Sequence, residues 1–318
     1  MLAAGAAFAL SSGFHSWAQE YPNRPIRFLV GNAPGGGTDT VARLVASKMS
    51  EGLGMSVIVD NRPGGTGAVA ATLVARASPD GYSILIITRS SHSISPALQR
   101  NLPFHPVNDF AAISLLVNSP NVLVAHTSVP ANSVKELVAV LKSKPESFNY
   151  GSTGTGAVSH MAAELFKNIT GTKITHVPYK GASPALSDLL SGRVQLMFSG
   201  PASIIPHVNS GKLKALAVGG SKRTPALKDV LTFAEAGYPA VEASQWYGVV
   251  TTAGTPNTVI NRLNREVVRV LQLPDMEERL INGGFDPEPS TPQQFAQLLK
   301  EDVARWQKVV KATGIRLE

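Results

Sequence analysis

The sequence predicts an α/β protein folded as two lobes, each a mostly parallel sheet flanked by helices. Three observations carry this. The chain has 318 residues, more than a single hydrophobic core usually serves. Short apolar runs alternate with segments of helical period, the signature of βαβ units. The alternation also breaks and restarts near residue 122, before a final third that reads almost wholly as helix.

The first strand is expected at Ile26–Val30, followed by Pro-Gly-Gly-Gly-Thr-Asp at 34–39. Val41, Leu44, Val45 and Met49 then recur at the spacing of one buried helical face, and Gly52 and Gly54 stop that helix. A strand at 57–59, a glycine-rich turn at 61–67 and an alanine-rich helix to about residue 77 come next. The unbroken apolar run of Ser83–Thr88 predicts a strand buried on both faces. After the restart come a strand at 122–125 and a helix at 134–141. Residues 148–151 lead into a Gly/Ser/Thr loop at 152–156, with a helix behind it carrying Met161, Leu165 and Phe166. Strands at 174–177 and 195–198 flank a helix through Leu186, Leu189 and Leu190, and Leu213–Val218 follows. A strand at 246–251 then precedes helices at 258–273, 276–282 and Pro292–Thr313. Pro256 lies just before the first of these and Pro292 opens the last, where a missing N–H costs little. Crossings near 112–124 and 240–252 divide the chain into lobe one, 19–120 plus 245–318, and lobe two, 121–244. Two crossings make a natural hinge.

Hydrophobic residues make up 43% and charged residues 16%, the balance of a globular chain. The net charge of +7 is scattered, with no block of like charges and no basic stretch interleaved with aromatics, which argues against nucleic acid as a partner. A mild positive balance suits an anionic ligand. The chain has no cysteine, so disulfides, cysteine nucleophiles and thiolate metal sites are excluded together. The apolar run from Leu2 to Leu10 is too short to span a bilayer. Small residues Ser16 and Ala18 flank Trp17 ahead of a cut after Ala18, so residues 1–18 read as a secretory signal peptide, truncated because it lacks Lys and Arg. Export is therefore expected, and any membrane role passes through a partner.

Segments 34–39, 61–67 and 152–159 share one construction: a strand, a loop of Gly, Ser and Thr, then a helix. Glycines let backbone N–H groups approach a ligand, and the helix start adds unpaired donors and a positive dipole end, which together suit a carboxylate or phosphate. A lone loop of this kind is an ordinary capped turn, with Thr38 and Asp39 as the capping residues. Three of them in one chain favour a site. The hydroxyl-rich run Thr88, Ser90, Ser91 and His92, then His160, Tyr179 and Ser199, each follow a strand or loop that could line the same cleft. Trp246 reads as core.

Catalytic motifs are missing. There is no Gly-x-Ser-x-Gly elbow, no phosphate-binding Gly-x-x-x-x-Gly-Lys loop, and Gly35-Gly36-Gly37 lacks dinucleotide spacing. His160 and Glu164 share a helix face but are too few to hold a metal. Ser91-His92 and Ser159-His160 are chain neighbours, which does not mark a nucleophile and its base. No catalytic residue, metal or cofactor is expected. An enzyme would instead show Ser91 or Ser159 bonded to a distant histidine.

Several ordered blocks run along nearly the whole chain: Tyr21-Pro22 with Pro25-Ile26-Arg27, the 34–39 loop with Ala42-Arg43, Asn61-Arg62-Pro63-Gly64, Pro79-Asp80-Gly81-Tyr82, His176-Val177-Pro178-Tyr179-Lys180-Gly181, Trp246-Tyr247-Gly248 and Ala253-Gly254-Thr255-Pro256. Together they resemble the Bug-type (tripartite tricarboxylate transporter) periplasmic substrate-binding receptors. The resemblance implies a two-lobe periplasmic-binding-protein-like (flytrap) fold. It also implies a small carboxylate ligand gripped by hydroxyls and amides from both lobes, a monomer, and delivery to membrane transporter subunits. Carried over by motif, it implicates Gly36, Gly37, Thr38 and Asp39, the loop from Thr88 to His92, and Ser152, Thr153, Thr155 and His160. Asp39 would cap its helix rather than face an anion. Two departures stand out: Gly31-Asn32-Ala33 replaces a proline-rich run, and Ser199-Gly200 replaces an Asp-Asn pair. Without that acid, a ligand ammonium has no counter-charge, so a carboxylate lacking an amino group is expected. A receptor that senses the ligand for a signalling partner is the alternative.

Overall fold

The computed structural model describes residues 21–99, 101–179 and 181–313; the signal segment at 1–18 lies outside them. The first lobe begins β1 Ile26–Val30, α1 Gly37–Leu53, β2 Val57–Asn61, α2 Ala68–Ala75, β3 Ser83–Thr88, α3 Ser95–Leu98 and β4 Phe110–Pro120. The second contains β5 Val122–His126, α4 Val134–Ser143, β6 Asn149–Ser152, α5 Val158–Thr170, β7 Thr175–Pro178, α6 Ala182–Leu190, β8 Leu196–Ser199, α7 Pro201–Asn209 and β9 Leu213–Val218. The chain then returns through β10 Ser244–Thr252, α8 Asn257–Leu271, α9 Pro274–Asn282, β11 Asp286–Pro287 and α10 Pro292–Thr313.

Two sheets result, ordered β11-β4-β10-β3-β1-β2 and β7-β6-β8-β5-β9. Both are mixed. The β2-β1-β3 and β7-β6-β8 sets are parallel, as βαβ repetition requires. The strands next to the crossings, β4 and β10 in one sheet and β5 and β9 in the other, pair antiparallel. Strand β4 has no clear apolar signature, because Ser114, Asn118, Ser119 and Pro120 interrupt it. Buried Ser114 is tolerated because its hydroxyl lies within hydrogen-bond reach of the Leu115 and Ser290 carbonyls.

Each central strand buries both faces. In β3, Ile84 and Ile86 join one core cluster while Leu85 and Ile87 join the other. Likewise Leu123 and Ala125 of β5 face one layer, and Val122 and Val124 the opposite one. This is period-2 alternation in a sheet covered on both sides. Each large aliphatic side chain so buried contributes about 2 kcal/mol.

Three chain segments interlock between the sheets. Asn121 N–H donates to Ala243 O (2.8 Å), Ala243 N–H to Gly219 O (3.1 Å), and Gly219 N–H to Asn121 O (2.8 Å). Gly219 has no room for a side chain, since an added Cβ would lie 2.4 Å from Ala243 Cβ and 2.9 Å from Asn121 O. Among the described residues no helix is long and apolar enough to cross a membrane.

Candidate functional site

A cleft of about 290 Å³ lies between the two sheets. Its walls come from both lobes. Gly37, Ser90, Ser119, Gln245, Tyr247 and Phe285 belong to the first, and Thr153, Val158, Ser159, Ala182, Ser199 and Ser203 to the second. Asn121, at the crossing, lies between them.

Four helices open onto this space: α1 at Gly37, α5 at Val158, α6 at Ala182 and α7 at Pro201. Their N-caps are Gly36, Ala157, Gly181 and Gly200, none of which supplies a side-chain hydrogen bond to the first turn. First-turn N–H groups of α1 and α5 have no partner within their own helix. In α6 Pro184 has no N–H to offer, and in α7 Pro201 has none and Ser203 N–H already donates to Gly200 O (3.3 Å), leaving Ala202. Aligned peptide dipoles leave partial positive charge at each start. Helices α8 and α9 also lack side-chain caps. Convergence on one cleft, rather than the missing cap, therefore sets these four apart.

Side chains complete the lining. Ser90 and Gln245 form a reciprocal pair: Ser90 N–H donates to Gln245 Oε1 (3.3 Å) and Gln245 Nε2 donates to Ser90 Oγ (2.9 Å). Ser119 Oγ donates to Gly284 O at 2.9 Å, and Ser199 Oγ lies 2.9 Å from Ser203 Oγ. Gly37 packs so close to the edge-to-face pair Tyr247 and Phe285 that an added Cβ would lie 3.3 Å from Phe285 Cζ and 3.4 Å from the Tyr247 hydroxyl. Burial pushes that hydroxyl's pKa up to about 12, so it stays a neutral donor. Among the described residues lining the cleft, none carries a carboxylate, ammonium, guanidinium or imidazole.

Of the residues singled out in the sequence, Gly37, Ser90, Thr153 and Ser199 line the cleft. Gly36 is the N-cap behind Gly37. Thr38 is buried, and Asp39 is turned inward, where it accepts Gly35 N–H, Arg43 Nε and Asn61 Nδ2, each at 2.9 Å. Burial works to raise the Asp39 pKa, but these hydrogen bonds outweigh it and hold the carboxyl below its usual range. The carboxylate thus braces the loop instead of facing a guest. Thr88, Ser91 and His92 sit behind Ser90. Ser91 Oγ accepts Thr88 N–H (3.0 Å) and lies 3.1 Å from His92 Nδ1, while the His92 ring packs against Phe104 and Phe110. Thr155 is exposed but outside the lining, and Tyr179 donates its hydroxyl to Asp188 at 2.8 Å.

Ser152 and His160 belong to a cluster beneath the second-lobe loop. Ser152 Oγ lies 2.7 Å from His176 Nε2, and the His176 ring stacks on His160 with centroids 4.1 Å apart. His160 Nδ1 accepts Gly156 N–H (3.0 Å), which fixes the turn entering α5. Burial, with the neighbouring His160, depresses the His176 pKa to about 4. This is a serine–histidine pair distant in sequence, but Ser152 is 0% exposed, beyond the reach of a substrate. Among the described residues, Ser91 and Ser159 bond only to near neighbours in the chain.

The 61–67 loop does not line the cleft. Its Gly67 packs behind β1, where a Cβ on Gly31 would lie 2.6 Å from Gly67 Cα. The α7 start takes the place expected of it. Sequence reasoning also missed Ser119, Asn121, Gln245, Tyr247, Ser203 and Phe285. The signal for two of them was the alternation in β10, where Gln245 and Tyr247 share the face opposite buried Trp246.

The profile of the tripartite tricarboxylate transporter family receptor matches residues 41–315. The chain belongs to this family. Protein BugT of Bordetella pertussis is 34% identical over 302 residues, covering 95% of this receptor and 93% of BugT. Two solved structures are similar across nearly their full length. The R. palustris protein Rpa4515 with adipate has TM-score 0.82 and 36% identity, covering 93% of this chain and 99% of its own. MatC from Rhodopseudomonas palustris with bound malate has TM-score 0.78 and 34% identity, covering 91% and 100%. The receptor therefore has the two-lobe α/β architecture of periplasmic solute receptors.

Proposed function

We propose that this receptor, exported to the periplasm, captures a small carboxylate lacking an amino group between lobe one (19–120 plus 245–318) and lobe two (121–244), then delivers it to a membrane transporter. The observation that carries the reading is the convergence of four helix starts on a cleft lined by hydroxyls and amides and, among the described residues, no charged side chain. Backbone donors and dipole ends attract an anion. Ser199, at the end of β8, offers no acid to meet an ammonium, and an ammonium left unpaired in the cleft would lose its hydration without return. The side chains of Asn121 and Tyr247 make no hydrogen bond to other described residues and are free to meet the guest's remaining polar groups. The bound adipate and malate of the two solved relatives are carboxylates without amino groups, in line with this reading.

The test is a thermal-shift screen. A ligand bound only by the folded form at 100 times its Kd adds about 2.7 kcal/mol of stability. Adipate, malate and related acids should raise the melting temperature, while aspartate and glutamate should leave it unmoved. Comparable shifts with the amino acids, or a shift only with a sugar or nucleotide, would overturn the assignment. Deleting the gene tests delivery: lost carboxylate uptake supports it, and intact uptake favours the ligand-sensing role.

A further inference from the structure

One turn of the C-terminal helix touches both walls of the cleft. Asp302 of α10 is buried, and its Oδ2 accepts Arg89 Nε (3.0 Å) and Trp246 Nε1 (2.8 Å). Arg89 is the residue before cleft-lining Ser90, and Trp246 lies between cleft-lining Gln245 and Tyr247. Arg89 also reaches the returning crossing, donating to Ser244 Oγ (2.8 Å) and pairing with Glu242 (2.7 Å), which Arg305 of α10 engages as well. The first-lobe wall is thus braced by an ionic network anchored on α10, buried at Arg89 and Asp302 and partly open to solvent at Glu242 and Arg305.

One residue further on, Trp306 is 1% exposed and packs in a cluster with Ile94 of the first lobe and with Val158 and Met161 of α5 in the second. Val158 also lines the cleft. Among the described residues the indole N–H has no acceptor, and the ring is held by apolar packing. No other hydrophobic cluster joins the described residues of α10 to α5.

We propose that Trp306 is a positioning residue for capture: through Val158 and Met161 it sets how far the second lobe closes on the first, while Asp302 holds the opposing wall. This deepens the capture reading and rests on a guest held between the lobes, but not on the guest being a carboxylate.

The natural chain lacks cysteine, so two introduced thiols would be the only labelling sites. Glu51→Cys on α1 and Lys142→Cys on α4 place spin labels on exposed positions of opposite lobes. Double electron–electron resonance then reads the interlobe distance with no ligand added. Trp306→Ala should lower the ratio of short to long distances at least about tenfold, as expected for truncating a buried aromatic. Met161→Ala should move it the same way, and the double variant no further than the larger single change, because one contact is lost either way. Trp306→Phe should keep the parent distribution. Unchanged distances in folded Trp306→Ala and Met161→Ala, or fully additive shifts, would overturn the proposal. Should Trp306→Ala fail to fold, Met161→Ala and Trp306→Phe still decide it. A wrong carboxylate assignment would leave these distances as expected and show only as an empty thermal-shift screen.

Discussion

Two helix starts in the second lobe show opposite uses of the same unpaired donors. At the surface, α4 is closed by its own sequence. Ser133 Oγ accepts Glu136 N–H (3.2 Å), and Glu136 Oε2 accepts Asn132 N–H (2.8 Å), a reciprocal cap that consumes the donors locally. At the cleft, α5 begins after Ala157, which has no side-chain acceptor, and the nearby Ser159 hydroxyl is turned back to Thr153 N–H (3.0 Å). One helix satisfies itself; the other keeps its first turn available for a guest. The missing cap alone does not make a site, since α8 and α9 lack one too; what sets α5 apart is that its uncapped start opens onto the cleft together with those of α1, α6 and α7.

The largest effect should come from placing an acid where the donors converge. Ser199→Asp is expected to weaken carboxylate binding about 100-fold or more, because like charges brought together cost several kcal/mol. Calorimetry with adipate, or with whichever acid the screen returns, checks this; unchanged affinity would break the account of the cleft as an uncapped anion site. Next, Tyr247→Phe and Asn121→Ala should each cost about tenfold in affinity, the size of one hydrogen bond to a charged group, with little change in melting temperature. A loss of stability without a loss of affinity would move those residues out of the site.

Ser133→Ala provides the counterpart. It should lower stability by about 1 kcal/mol through loss of the cap and leave affinity untouched, as measured by denaturant unfolding and calorimetry side by side. If affinity fell, the contrast between α4 and α5 would collapse. The last effect concerns pH and touches stability, not affinity. Burial depresses His176 to about 4 and His92 to about 3, below the ordinary 6.5. Between the folded and unfolded values the unfolded chain binds more protons, so their contribution is full above about 6.5 and is lost as pH falls toward 4 and below. Melting temperature should therefore drop below pH 6.5, and His176→Gln should flatten that slope. An identical slope in the variant would show that the depressed histidine does not drive it.

Much of this layout was legible in the chain. Ile26–Val30, Ser83–Thr88 and Leu213–Val218 were read to the residue because short apolar runs bounded by turn residues fit little else. Pro292 was placed correctly as a helix start because proline lacks only an N–H that the first turn leaves unpaired. The β4 strand is legible in the sequence only as a crossing. Its serines depend on distant partners: Ser114 on Ser290, 176 residues away, and Ser119 on Gly284, 165 residues away. Likewise Ser90–Ile94 reads as a hydroxyl-rich loop but forms a π-helical turn packed against α10, so Ser90 reaches the cleft while His92 is buried.

The residues alone determined that glycine-lined helix starts would recur after strands, because periodicity and backbone-permissive residues are local properties. They also determined the family, because ordered motifs span the chain. Only the tertiary structure decided which starts meet. It kept α1 and α5, joined to them the α6 and α7 starts that follow Tyr179 and Ser199, and turned the 61–67 loop away to support Gly31. It also decided that Asp39 would brace a loop and that Gln245 and Tyr247 would line the cleft. Convergence depends on how two sheets are set across a hinge, and that geometry arises from contacts between residues far apart in the chain.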